Sequence, residues 1–123
     1  MKRYDPLQTP DPEVWLSLDE AERLRLVSDY HRRVKPRPPR IDAHAAFHVI
    51  VENQIALDEE YPVRDTADRL IAEGLDRHDA IHAIGSVLAQ NLYNSLQDPA
   101  PGANPNETYL AALAQLTAVG WKG

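Results

Sequence analysis

The chain contains no cysteine among its 123 residues. This absence excludes disulfide bonds, thiolate nucleophiles, and zinc or iron–sulfur centres that are held by cysteine. The sequence also has no apolar run near the ~18 residues of a membrane-spanning helix. Its first residues, Met-Lys-Arg-Tyr-Asp-Pro, lack the apolar segment of a secretory signal. We therefore expect a soluble, cytoplasmic protein with no membrane partner.

Positive charge is scarce relative to negative charge. The sequence has 13 Lys and Arg residues against 19 Asp and Glu residues, a net charge of −6. Residues 70–78 have the helix–glycine–helix rhythm of a DNA-binding element, but the second helix opens with Asp76 and Asp79. Contacts to phosphate and base edges need donors at that end of a recognition helix. We predict that nucleic acid is not a partner.

Apolar residues recur at helical spacing along most of the chain, and no alternating pattern indicates a strand. The helices that bear the most informative residues are predicted from Asp42 to about Glu59, from Val63 to Glu73 and from Asp76 to about Gln97. The last helix is expected to stop at Gly120. We predict an all-α fold: a compact bundle of four main helices plus a short N-terminal helix, with no sheet, in a single domain spanning residues 1–123.

Proline marks the segments between these helices. Residues 1–10 are predicted to be an irregular leader, 34–41 a Pro-rich basic connector, and 98–104 a loop before the last helix. Three prolines in the connector favour an extended, polyproline-like path. Its basic residues suit an anionic partner, but the same composition is also typical of a stiff, well-solvated connector. The sequence leaves both interpretations open.

Two passages of the chain echo each other, residues 42–50 and residues 76–84. Each reads Asp-x-His-x-x-x-His, and residues four apart lie on one face of a helix. If the two helices are neighbours, four imidazoles meet in one layer, with a carboxylate one turn beyond. The candidate metal ligands that share this layer are His44, His48, Glu52, His78 and His82.

Imidazole and carboxylate groups suit a divalent transition metal such as zinc, iron, manganese or nickel. With one coordination position open, the bound water can act as a nucleophile, so a hydrolytic activity is a hypothesis here. Asp79 or Glu52 is then the candidate general base. Asp79, Asn53, Gln54 and Ser86 are candidate partners for the second ring nitrogens. The sequence does not identify a substrate.

Other interpretations of the histidines stay open. They can form a polar network between helices, or lie unconnected at the surface. His31, on another helix among arginines, is expected to lie at the surface. The alternative function is a non-catalytic interaction module that acts through a protein partner or a homodimer. Its sequence support is the basic connector together with Trp15 and Trp121 near the chain ends.

Several contiguous segments of the sequence form a further pattern. It includes Asp11-Pro12-Glu13 with Trp15-Leu16, residues 18–23, and residues 49–56. Its strongest part is residues 73–88, Glu-Gly-Leu-Asp-Arg-His-Asp-Ala-Ile-His-Ala-Ile-Gly-Ser-Val-Leu. Over roughly residues 11–97 the chain resembles a family of small bacterial proteins of unknown function. The resemblance implies a stand-alone bacterial domain and carries no activity.

Overall fold

The computed structural model describes residues 1–35, 37–58, 62–97 and 104–122. Within these ranges the backbone forms seven helices and no strand, which confirms the predicted all-α class. The helices are α1 (Pro12–Ser17), α2 (Glu20–Arg33), α3 (Ile41–Ala56), α4 (Val63–Ala72), α5 (Arg77–Gln97), α6 (Pro105–Gln115) and α7 (Ala118–Lys122). In the described part of the chain, none of them has the length and apolar content to cross a membrane.

Local capping chemistry explains where several helices begin and end. The side chain of Asp11 accepts hydrogen bonds from the backbone N–H groups of the first turn of α1, and Asp19 does the same for α2. Asn104 caps α6 through the N–H of Asn106. Gly74 follows α4 with a φ of 113°, a backbone conformation that residues other than glycine rarely adopt.

Two predicted boundaries are wrong. The helix expected after Asp42 begins at Ile41, with Arg40 at the N-cap position and no side-chain cap. Asp42 lies instead in the first turn, where the positive end of the helix dipole still stabilises its carboxylate. Gly120 does not stop the last helix, because α6 ends at an extended Leu116 and α7 runs through Gly120.

Some predictions extend beyond the described ranges. The end of α3 lies at Ala56, with Leu57 at the C-cap position, which is earlier than the predicted end near Glu59; Glu59 itself lies outside the described residues. The loop predicted over 98–104 also lies outside them, except for Asn104.

The apolar interior consists of two clusters, and α3 contributes to both. One cluster lies between α3, α4, α5 and α6 and contains Leu70, Ile84 and Leu113, each no more than 1% exposed. The other lies between the leader, α1, α2 and α3 and contains Trp15 and Leu26. Because α3 packs against both α2 and α5, its polar residues between the two clusters are placed in the interior.

The leader is not a loose tail, although it forms no helix. Tyr4 is fully buried, with its ring 5.9 Å from that of Trp15 and 6.0 Å from that of Tyr30. Arg77 donates hydrogen bonds to the carbonyl oxygen of Pro6 and to the hydroxyl of Thr9. The first ten residues therefore cover the region where α2, α3 and α5 meet.

Candidate metal centre

Five histidines from three helices converge at this meeting point. His31 comes from α2, His44 and His48 from α3, and His78 and His82 from α5. Each offers one ring nitrogen, and these five atoms all lie within 4.8 Å of one another. The structure thus brings together the four histidines that the sequence pairs, and adds a fifth.

Ring nitrogens of three histidines lie at hydrogen-bond distance. The Nε2 atom of His82 lies 3.0 Å from Nε2 of His44 and 3.0 Å from Nε2 of His48. Nitrogens bound at ~2.1 Å to a single tetrahedral or octahedral ion are separated by roughly 3.0–3.4 Å. The spacing of these three nitrogens is therefore that of ligands around one ion.

The expectation that His31 lies at the surface is wrong. Its side chain is only 5% exposed, and its ring centroid lies 4.5 Å from that of His44 and 4.7 Å from that of His48. Its Nδ1 lies 2.8 Å from the carbonyl oxygen of Val27. A carbonyl only accepts, so Nδ1 carries the proton and Nε2 is left with a lone pair. That Nε2 atom is buried and has no hydrogen-bond partner.

A second buried polar group lies next to the histidines and consists of Glu52, Arg77 and Tyr4. Arg77 donates to both oxygens of Glu52, at 2.7 and 2.9 Å, and the two side chains are 8% and 1% exposed. The hydroxyl of Tyr4 donates to Oε2 of Glu52 at 2.5 Å. Both oxygens of the predicted ligand Glu52 are thus engaged by Arg77 and Tyr4, and Glu52 as a metal ligand stays a prediction.

This second group fixes the orientation of one histidine. The only proton of the Tyr4 hydroxyl goes to Glu52, so its oxygen accepts from Nδ1 of His48 at 3.2 Å. His48 therefore carries its proton on Nδ1 and presents the lone pair of Nε2 to the other rings. Burial, followed by the neighbouring Glu52 charge, raises the pKa of Tyr4 well above its ordinary value, which keeps the hydroxyl protonated.

Hydrogen bonds among the rings cannot satisfy this arrangement. The Nε2 of a neutral imidazole either donates one hydrogen bond or accepts one, so His82 can pair well with His44 or with His48 but not with both. Nε2 of His31 and Nε2 of His78 are both buried without a partner. Most buried polar atoms in proteins have a partner, and the five ring nitrogens lie close enough together to hold a metal ion.

The histidines are also held neutral. Burial, and then repulsion from His31 and His82, lowers the pKa of His44 to about 4. Burial, and then repulsion from His78 and His31, lowers the pKa of His82 to about 4. The pKa of His48 is depressed further, mainly by burial. Because only the neutral ring can bind a metal, these shifts leave the nitrogens available at neutral pH.

Two cavities reach the histidines. One has a volume of about 460 Å³ and is bordered by His31, His44, His78 and His82, with Tyr30 and the connector opposite. The other is smaller, about 250 Å³, and mainly apolar; Phe47 and Ile81 line it beside His44, His48 and His82. A small molecule in the larger cavity would contact four of the five rings.

A family comparison places the chain among related sequences. The family model described as Domain of unknown function (DUF1841) matches residues 9–115. The chain belongs to this family. No curated protein and no solved structure matches the chain.

The part matched to the DUF1841 family contains all five histidines, together with Glu52 and Arg77. It begins after Tyr4, so the matched region includes the carboxylate and the guanidinium of the second polar group but not its hydroxyl. The family description names no activity, and the chemistry of the site must be argued from these residues.

Three of the predicted partners of the ring nitrogens are engaged elsewhere. The amide oxygen of Asn53 accepts from Trp15 and from Arg23. Gln54 accepts from Tyr109, and Ser86 donates to the backbone carbonyl of Ala83. The groups that do contact Nδ1 atoms are the carbonyl of Val27 and the hydroxyl of Tyr4, one a backbone atom and the other far away in sequence.

Sequence reasoning also missed His31 and Arg77. His31 had a usable signal, since it follows Val27 by four residues and so lies on the buried side of α2. Arg77 had one as well, because Glu52 falls among the apolar residues of α3 and a buried carboxylate requires a partner. Tyr4 had none, as nothing in its local sequence indicates burial.

Proposed function

We propose that this protein binds one divalent transition-metal ion through ring nitrogens of His31, His44, His48, His78 and His82, and uses it to hydrolyse a small-molecule substrate. The observation that carries the proposal is the convergence of five ring nitrogens within 4.8 Å, in a cluster where the buried Nε2 atoms of His31 and His78 have no hydrogen-bond partner. A metal ion accepts several lone pairs at one point, which no neutral side chain does.

The ligand types narrow the choice of ion. Five imidazoles without a thiolate suit zinc, iron, manganese or nickel. The nitrogens of His44, His48 and His82 have the spacing expected of three ligands on one ion, with His31 and His78 as additional ones. If three or four nitrogens bind, a further position can hold water, and the ion lowers the pKa of that water.

In this proposal Glu52 acts through Tyr4. Arg77 pairs with the carboxylate, the carboxylate orients the Tyr4 hydroxyl, and the hydroxyl oxygen sets the tautomer of His48. Groups that bind the outer nitrogen of a ligating histidine orient the ring and increase its basicity. Asp79 is the proposed general base. Burial lowers the pKa of His82, and the nearby charge of Asp79 partly opposes this by raising it.

Elemental analysis tests the metal. The protein is purified without a tag, chelator or nickel resin, and zinc, iron, manganese and nickel are measured per chain. We expect one equivalent in the wild type and none in the His48→Ala/His82→Ala double variant. Ser86→Ala, one turn beyond His82 on the same helix, is the control that should keep the metal. A metal-free wild type that also shows no thermal shift with any of the four ions would overturn the proposal.

An activity screen tests the hydrolytic part. Phosphate and carboxylate esters of small chromogenic alcohols are offered to the metal-loaded and the metal-free protein. Turnover by the loaded protein, lost in Asp79→Asn with the metal still bound, supports hydrolysis with Asp79 as the base. A loaded protein that cleaves neither ester class contradicts the enzymatic half and leaves a metal-binding protein.

A second candidate function has its own observation. The C-terminal half of α5 exposes three large apolar side chains: Leu92 is 51% exposed, Tyr93 59% and Leu96 72%. Apolar patches of this kind mark interfaces, so the alternative is an interaction module that forms a homodimer or binds a protein partner. Sedimentation of the wild type and of Leu92→Glu/Leu96→Glu tests the homodimer, which the double variant should dissociate.

The remaining proposals concern the setting of the protein. We infer that residues 1–123 form a single domain. We also infer that the protein works in the cytoplasm, because the chain has no cysteine, and that it does not bind nucleic acid, because its net charge is −6. A gel-shift assay with duplex DNA and with RNA at low salt checks the last point and should show free nucleic acid only.

A further inference from the structure

The Pro-rich connector forms one wall of the larger cavity. The lining residues from the connector are Val34, Lys35, Arg37, Pro38 and Pro39, and the lining histidines are His31, His44, His78 and His82. The connector and four of the candidate metal ligands thus border the same cavity. Because proline fixes its own backbone angle, the prolines limit the paths that this wall can take.

The charge of the cavity is opposite to that of the chain. Among the described residues that line it, the charged side chains are Lys35 and Arg37, and both are positive. The chain as a whole carries a net charge of −6. Asp5 and Asp76 are near enough to raise the pKa of His78 slightly against the larger effect of burial, but neither is among the lining residues.

These two cations have no partner of their own. In the described part of the chain, neither Lys35 nor Arg37 forms an ion pair or a side-chain hydrogen bond. Arg32, which lies nearby, differs in this respect, because it pairs with Asp29 at 3.4 Å and lies 3.9 Å from Asp42. Lys35 and Arg37 are therefore free to bind a ligand without breaking an existing ion pair.

Arg37 also borders a second opening. A neighbouring cavity of about 580 Å³ shares Arg37, Pro38 and Pro39 with the first and adds Arg32 and Arg40, with Asp42 as its only acid among the described lining residues. Positive charge therefore extends from the outer surface along the connector to the histidines. An arrangement of this kind attracts anions and raises their local concentration.

We propose that the cavity binds the oxyanion group, a phosphate or a carboxylate, of a small molecule. Lys35 and Arg37 hold the oxygens on one side, while the metal ion faces them on the other; the second half of this statement rests on the proposed metal centre. Guanidinium groups bind carboxylate and phosphate through two parallel hydrogen bonds, and an ammonium adds a point charge. The volume of about 460 Å³ suits a ligand of small-molecule size.

Calorimetric titration with three simple probes tests the proposal. The wild type is loaded with one equivalent of metal, freed of excess, and titrated with inorganic phosphate, acetate and glycerol. Lys35→Gln/Arg37→Gln is compared with Arg64→Gln, an exposed cation on α4 that lines neither of the two cavities described here. Metal uptake by each variant is measured first, and should equal that of the wild type.

We expect phosphate or acetate to bind the wild type and Arg64→Gln alike, and to bind Lys35→Gln/Arg37→Gln about 10- to 100-fold more weakly. The tighter of the two anions identifies the oxyanion class. Equal anion affinity in all three proteins, or glycerol binding as tightly as the anions, overturns the proposal. If the wild type takes up no metal, the metal centre fails separately, and phosphate titration of the metal-free protein still decides whether Lys35 and Arg37 bind the anion.

Discussion

The interior of this small bundle holds two polar groups side by side, and they differ in how completely they are hydrogen-bonded. In the group of Glu52, Arg77 and Tyr4, each carboxylate oxygen accepts from Arg77, and Tyr4 adds a further donor. In the group of five histidines, two buried nitrogens have no partner and three others crowd one another. The hydrogen bonds of the first group are complete, whereas those of the second are not.

This difference separates a structural role from a functional one. A buried ion pair with all its atoms engaged stabilises the fold only as long as both partners are present. Buried nitrogens without a partner are unfavourable for folding. A cation that binds them removes this cost and thereby stabilises the folded state. Substitutions in the two groups should therefore affect different measurements.

The largest effect is expected from Arg77→Met. The change leaves the Glu52 carboxylate buried without its main partner, which should cost about 3–5 kcal/mol of unfolding free energy in the metal-free protein. Urea denaturation measures it. Arg25→Met, which breaks exposed ion pairs with Glu22 and Asp29 on α2, is the control and should cost far less. Equal costs for the two variants would contradict the structural role of the Glu52 ion pair.

The next largest effect concerns metal-dependent stability. Zinc at ~100 times its dissociation constant should stabilise the wild type by about 2.7 kcal/mol, because the ion binds only the folded state. The His48→Ala/His82→Ala variant should lose this gain. Without metal, its free energy of unfolding should differ from that of the wild type by less than that of Arg77→Met does. Thermal unfolding with and without zinc measures both quantities. A loss of stability that is independent of zinc would assign the histidines to the structural group instead.

A smaller effect is expected where the two groups touch. Tyr4→Phe removes the hydroxyl between Glu52 and His48 and should weaken metal binding by about tenfold. This is the lower end of the effects expected when a group that hydrogen-bonds a metal-ligating histidine is lost. The matched control is Tyr109→Phe, a tyrosine that is 2% exposed and bonds Gln54 instead. Calorimetric metal titration compares them. Equal affinities in the two variants would show that the hydroxyl has no influence on the centre.

The last prediction concerns the response of the folded protein to acid. The pKa values of His44 and His82 are lowered to about 4 in the folded protein, so below the ordinary histidine pKa the unfolded chain binds more protons. The metal-free protein should keep its full stability above pH ~6.5 and lose stability progressively as the pH falls from there to about 4. Urea denaturation at a series of pH values measures this. A profile equally steep in His48→Ala/His82→Ala would assign the loss to other groups.

Local chemistry made the fold class predictable. Caps such as Asp11 and Asn104, and a glycine with positive φ at Gly74, act within a few residues and can be recognised in the sequence. The start of α3 could not be recognised in this way, because Arg40 makes no side-chain cap and Asp42 suggested one. The pairing of the four histidines on α3 and α5 followed from spacing four residues apart.

The rest of the site depends on tertiary packing. His31 enters the centre only because α2 packs against α3, and the arginines beside it in sequence suggested a surface position. The partners of the ring nitrogens come from Tyr4 in the leader and from a backbone carbonyl, neither of which a motif search would select. Spacing within a helix indicates the four histidines of α3 and α5. Packing between distant segments adds His31 and the Tyr4 hydroxyl, whereas the Val27 carbonyl lies on the same helix as His31.

The attachment of the leader has a consequence for hydrogen exchange. A segment without helix near a chain end usually exchanges its amide protons quickly, since little structure has to open. Here Tyr4 is fully buried and Arg77 donates to Pro6 and Thr9, so the segment can leave only if the interior of the bundle is also exposed. Amides around Tyr4 should therefore be protected to a degree that approaches that of α3, and metal binding should slow their exchange further, although no ligand comes from the leader.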